Sequence, residues 1–141
     1  VNTVINYQVP GNWGLTLLGT YGSGLPYTSE KKGDDSPILV LFENDSRKPA
    51  YFNVDLNGYK EIPLKANLPV SATVTLMIRN LFDIKNENNV FGDTGRATYS
   101  RDEELLKHQE ITFINTIEEL LNHPEFYSRP REVRVGLRFV F

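Results

Sequence analysis

The residues best suited to chemistry in this chain are few and scattered. It carries two histidines, His108 and His123, and no cysteine, so thiolate ligands, disulfides and cysteine nucleophiles are all excluded. The run His108-Gln109-Glu110-Ile111-Thr112 lacks the second histidine of a zinc-hydrolase helix. Glu103, Glu104, Glu110, Glu118 and Glu119 read as the solvated faces of short loop helices. Asp34-Asp35 and the stretch from Asp83 to Asp93 offer oxygen donors for calcium, but without the spacing of a calcium loop. A net charge of −3, from 18 acidic and 15 basic residues, provides no basic footprint for nucleic acid. The expectation is a protein that is not an enzyme, with no catalytic set, metal or cofactor.

What the sequence does contain is alternation, the mark of strands with two unlike faces. Val1, Thr3, Ile5, Tyr7 and Val9 oppose Asn2, Asn6 and Gln8. Trp13, Leu15, Leu17, Gly19 and Tyr21 oppose Gly14, Thr16 and Thr20, with Leu18 an exception. Phe52, Val54 and Leu56 stand against Asn53, Asp55 and Asn57. Val70, Ala72, Val74, Leu76 and Ile78 stand against Ser71, Thr73, Thr75 and Arg79. The fifth segment sets Val133, Val135, Leu137, Phe139 and Phe141 against Glu132, Arg134, Gly136 and Arg138. Five antiparallel strands are thus predicted near 1–9, 13–22, 50–60, 69–80 and 131–141.

The connections alternate in size. Pro10-Gly11-Asn12 is a tight turn, Ile62 to Pro69 is a modest one, and the other two run from about Ser23 to Pro49 and from Asp83 to Pro130. Connections this long are uncommon in compact domains and tend to be functional or disordered. Up-and-down strands place every second connection on the same side, so short turns on one side and long loops on the other fit an outer-membrane barrel. A strand from Val133 to Phe141 would extend ~30 Å at ~3.3 Å per residue. Tilted at ~40°, it spans ~23 Å, near the ~25 Å apolar band of such barrels. Tyr21, Tyr51, Phe52 and Phe82 at the loop side, and Tyr7, Trp13, Tyr59 and Phe141 at the turn side, are placed as two aromatic girdles. The longer loop is expected to hold a helix opened by the capping box Thr116-Ile117-Glu118-Glu119, with a second short helix over Asp102 to His108. A soluble β-sandwich alternates in the same way, so alternation alone leaves both architectures open. No apolar run approaches the ~18 residues of a membrane helix.

Three ordered stretches carry a resemblance to TonB-dependent outer-membrane receptors. The segment from Pro130 to Phe141 resembles the closing strand of outer-membrane proteins, with Gly136, Leu137, Phe139 and a terminal Phe141 as the barrel-assembly signal. Asn80-Leu81-Phe82-Asp83 resembles the element that ends the penultimate strand of these receptors. Gly24, Pro26 and Tyr27, with Arg47, Pro49, Tyr51 and Asp55, are similar to the Gly-x-Pro-Tyr and Arg-x-Pro-x-Tyr-x-x-x-Asp-Leu elements upstream. The insert from Val90 to Tyr99 is similar to receptors with an N-terminal carboxypeptidase-regulatory-like domain.

The resemblance implies an all-β fold, an antiparallel up-and-down transmembrane β-barrel of which residues 1–141 supply the last five strands. Five strands cannot close a bacterial barrel, and the chain begins inside an alternating pattern, so plug and earlier strands are expected elsewhere. The implied partners are the remainder of the barrel and its plug, the barrel-assembly machinery, the lipid bilayer, TonB acting through the absent N-terminal part, and an unidentified nutrient ligand. The implied location is the outer membrane of a Gram-negative bacterium. The rival functions are a passive pore or structural barrel, and a secreted soluble β-sandwich that binds a ligand.

Overall fold

The computed structural model describes residues 1–30, 42–64, 71–101 and 123–140. The proposed helices over 102–108 and 116–122 lie outside these residues, as do His108, Asp34, Asp35, Pro69, Val70 and Phe141. The chain divides into two compact units: Val1–Tyr21, Phe52–Ile84 and Arg129–Phe141 form the first, Gly22–Tyr51 and Lys85–Ser128 the second.

The first unit is built on a five-stranded sheet of β1 (Asn2–Val9), β2 (Trp13–Gly22), β5 (Tyr51–Pro63), β6 (Ser71–Arg79) and β7 (Glu132–Val140), in the order β1-β2-β5-β6-β7. Each strand lies beside its neighbour in the predicted sequence order. The β1–β2, β5–β6 and β6–β7 ladders are antiparallel. For β2 and β5, the Glu61 N–H reaches the Asn12 carbonyl, and Gly14 lies under Tyr59. One strand therefore ascends as the other descends. The β1–β2 turn follows from its residues. Pro10 presets its own φ, Gly11 takes a φ of 68° that favours glycine, and the Asn12 N–H closes on the Val9 carbonyl at 3.1 Å.

Because directly opposed residues share a face, the register sorts the side chains. Ile5–Leu17 and Tyr7–Leu15 continue through the β2–β5 contact of Leu15 with Gly58. Beyond it, Leu56–Ile78–Val133, Leu76–Val135 and Val74–Leu137 carry the same face across the sheet. That face is apolar and largely bare, with Val135 69% and Leu137 67% exposed. The other face carries Asn6–Thr16, Thr75–Gly136, Thr73–Arg138 and Arg79–Glu132. Leu18, the exception in the second strand, falls on this polar face opposite Val4, an apolar pair among polar neighbours. Tyr59 needs correction. Its partner is Thr75 and its ring covers Gly14, so it belongs to the polar face and not to the turn-side girdle. Position near a strand end had suggested the girdle; parity along the strand decides the face.

The second unit has little regular structure. A two-residue ladder pairs β3 (Pro26–Tyr27) with β4 (Ser46–Arg47). A single bridge joins Glu87 to Tyr127, beside a 3₁₀ turn at Pro124–Phe126. Among the described residues no helix is long and apolar enough to cross a membrane, which leaves strands unaddressed. The molecule is mostly antiparallel β-sheet with very little helix among these residues.

Candidate functional site

The residues picked out by the three sequence elements gather in three places. The first is the loop end of β6. Asn80 has a φ of 53° and Asp83 one of 54°, left-handed conformations that asparagine and aspartate tolerate better than other side chains. Asn80 is only 6% exposed. Its side-chain amide donates to the Ile84 carbonyl at 3.0 Å and to the Arg129 carbonyl at 3.1 Å, while its oxygen accepts the Ile84 N–H at 2.9 Å. The Asn80 N–H donates to Asp55 Oδ1 at 2.9 Å, and Asn53 donates to the same oxygen at 2.8 Å. The Leu81 N–H reaches the Val54 carbonyl, the Asp83 N–H the Asn80 carbonyl, and the Asp83 carboxylate accepts the Arg131 N–H at 2.8 Å. Asp55, Asn80 and Asp83 thus tie the end of β6 to β5 and to the chain entering β7. Phe82 is outside the knot, 62% exposed.

The second place is in the loop unit. Gly24 holds a φ of 86°, and a Cβ there would collide with the Lys48 carbonyl, so only glycine lets the two segments approach. The Lys48 N–H donates to the Leu25 carbonyl at 2.9 Å, and Arg47 reaches the Gly24 carbonyl at 3.5 Å. Tyr27 places its hydroxyl over Gly95, which has a φ of 69° and no room for a side chain. Gly24, Pro49 and Tyr51 then help line an open cleft of about 450 Å³, together with Leu25, Lys48 and Glu87.

Two cleft residues, Lys48 and Glu87, had no assigned role in the sequence reading. Lys48 Nζ donates to the Asn88 carbonyl at 2.8 Å and to Asn89 Oδ1 at 3.2 Å. The Glu87 side chain, 9% exposed, accepts from Arg96 at 2.7 Å and from the Ala97 N–H at 2.7 Å. This hydrogen bond, then the Glu87 charge, pushes the Arg96 pKa above its already high ordinary value. An almost buried carboxylate is tolerable when several donors satisfy it. No local spacing marks Glu87, because its donors lie nine and ten residues away in an irregular loop.

The return arm of this unit carries a ring cluster. His123 stacks on Phe126 with centroids 4.6 Å apart, and Phe91 meets both rings. His123 Nδ1 lies 2.6 Å from Glu125 Oε1, and the hydrogen bond from His123, followed by one from a backbone N–H, lowers the Glu125 pKa. Asp93 accepts from Ser100 Oγ at 2.9 Å and from the Arg101 N–H at 2.5 Å. Among the described residues no three histidine or acidic side chains gather as metal ligands.

The third place is β7. Gly136 lies beneath Thr75, whose hydroxyl occupies the space a Cβ would need. Leu137 and Phe139 stand on the bare apolar face, 67% and 56% exposed, and Phe141 lies outside the described residues. Together the three places offer a structural knot, a glycine-dependent loop crossing and an apolar sheet face. Compared with known proteins, the chain matches no family model, no curated protein and no solved structure.

Proposed function

We propose that this chain is the C-terminal barrel segment of a TonB-dependent outer-membrane receptor, contributing wall strands and long extracellular loops to active uptake of a nutrient ligand. The observation that carries this reading is the apolar face, kept in register across five sequence-ordered strands and exposed at Val133, Val135, Leu137 and Phe139. In water such a face is a liability; against lipid it is the required surface. The polar face then turns to the lumen and the plug. Among the described residues, β1 and β7 each have one neighbour, so each offers an edge for the remaining strands of the barrel. In this reading Gly136, Leu137, Phe139 and Phe141 address the barrel-assembly machinery, and coupling to TonB runs through a part of the protein outside this segment.

The test is fractionation of the full-length gene product in a Gram-negative host, with uptake measured with and without TonB. The expected product resides in the outer membrane, migrates faster on cold gels than after heating, and takes up its ligand only when TonB is present. Deleting Phe141 should lower its outer-membrane level sharply, whereas deleting residues 103–122 should spare assembly. Uptake indifferent to TonB would point to a passive pore. A monodisperse soluble product would restore the secreted β-sandwich.

A further inference from the structure

One position on the apolar face breaks its chemistry. Lys60 lies on the same face as Leu56 and Gly58, opposite Val74 in the ladder, and is the single charged side chain on that face among the described strand residues. It is exposed, and its ammonium reaches back over the turn to the side-chain oxygen of Asn12. Beside it, the Tyr7 and Trp13 rings meet tilted, with centroids 5.3 Å apart and planes at 43°, on adjacent strands fixed by the Val9–Trp13 and Tyr7–Leu15 pairs.

A lysine in the middle of an apolar face would be costly wherever that face were covered by a second apolar layer. At the margin of a lipid-facing band it is favourable, because the methylenes lie on apolar surface while the ammonium extends to the headgroups. Tyrosine and tryptophan prefer the same depth, with an apolar body and a polar tip. Asn12 satisfies one of the three ammonium donors and leaves capacity for an anionic acceptor.

Resting on the proposed membrane reading, we infer that Lys60, with Asn12 and the Tyr7–Trp13 pair, forms an interfacial site on the turn side of the sheet that takes the phosphate of a lipid headgroup. The site fixes the depth at which the short-turn end of the sheet meets the leaflet.

The experiment uses the full-length gene product with Trp13 as its sole tryptophan, inserted in vesicles of phosphatidylethanolamine and phosphatidylglycerol. Bromines placed near the headgroup should quench Trp13 at least twofold more than bromines near the terminal methyl. With lysine amines labelled by nitrogen-15, dipolar dephasing by lipid phosphorus should be seen for a signal that Lys60→Gln removes and Asn12→Ala retains. If Lys60→Gln does not insert, Lys60→Arg removes the same labelled signal while keeping the charge. Stronger quenching by the deep bromines, or dephasing unchanged by either Lys60 variant, overturns the headgroup site and leaves the membrane reading standing. No quenching by either lipid overturns the membrane reading and the site with it.

Discussion

The strand unit and the loop unit are each stabilised internally, and by opposite means. The sheet is stabilised by its backbone ladders, and its side chains are exposed on one face and polar on the other, with Ala72 the only buried hydrophobic residue described in it. The loop unit has almost no ladder, and there side chains bind backbone. Glu87 holds Ala97 and Arg96, Asp45 accepts from Ser29, and Lys48 holds the Asn88 carbonyl. An exposed apolar face is costly in water, whereas a polar loop network is compatible with it. In the proposed reading, lipid covers the apolar face and water bathes the loops.

The sharpest way to break this comparison is to place a charge on the bare face. Leu137→Arg in the full-length protein is expected to cost ~2–4 kcal/mol if the site lies near the bilayer midplane, with a matching loss of outer-membrane level. Asn57→Arg, on the opposite face beside Met77, should stay within about 0.5 kcal/mol, as surface changes usually do. Urea unfolding from vesicles measures both. Equal tolerance at the two positions would reverse or erase the assignment of faces.

Next in size is the knot at the end of β6. Asn80→Ala removes three side-chain hydrogen bonds from a buried position and leaves a left-handed φ without a side chain suited to it. Together these should cost about 2–3 kcal/mol. Asn80→Gly relieves only the backbone part and should recover about 1 kcal/mol of it. If the two variants unfold at the same denaturant concentration, backbone strain contributes nothing there.

The strands and the knot differ in how far the sequence exposes them. Alternation places the five strands to within three residues at their described ends, since period 2 is local and each strand has unlike faces. The same rule, followed along β5, puts Tyr59 on the polar face; proximity to the strand end had suggested otherwise. The Asn80 to Asp83 element is visible as a resemblance, but its physical reason is not, because its partners Asp55, Arg129 and Arg131 are 25 to 49 residues from it. The β3–β4 ladder, two residues long, has no periodicity to detect.

A smaller effect is expected at the loop crossing. Gly24→Ala places a methyl group against the Lys48 carbonyl at a positive φ, costing about 1–2 kcal/mol. Because the loop unit has its own network, the loss should appear as faster amide exchange around Leu25 and Lys48, with the sheet unaffected. Faster exchange in β2 and β5 as well would show that the crossing also stabilises the strands.

The smallest effect, and the one that separates the units by pH, concerns Glu125. Its pKa is lowered by the hydrogen bond from His123 and then by a backbone N–H, so its folded value lies below its unfolded one. Such a group contributes stability above its unfolded pKa and loses it as pH falls through the lowered folded value. Glu125 is exposed and the contact is screened, so the change should be confined to the return arm. As pH drops through the carboxylate range, amide protection at Phe126 and Tyr127 should fall, while protection in β6 and β7 near Thr75 and Gly136 stays constant. Glu125→Gln should flatten that dependence and leave the stacking of His123 on Phe126 in place. An acid-induced loss that persists in Glu125→Gln would place the titrating group elsewhere, and a loss spreading equally into the sheet would dissolve the distinction between the two units.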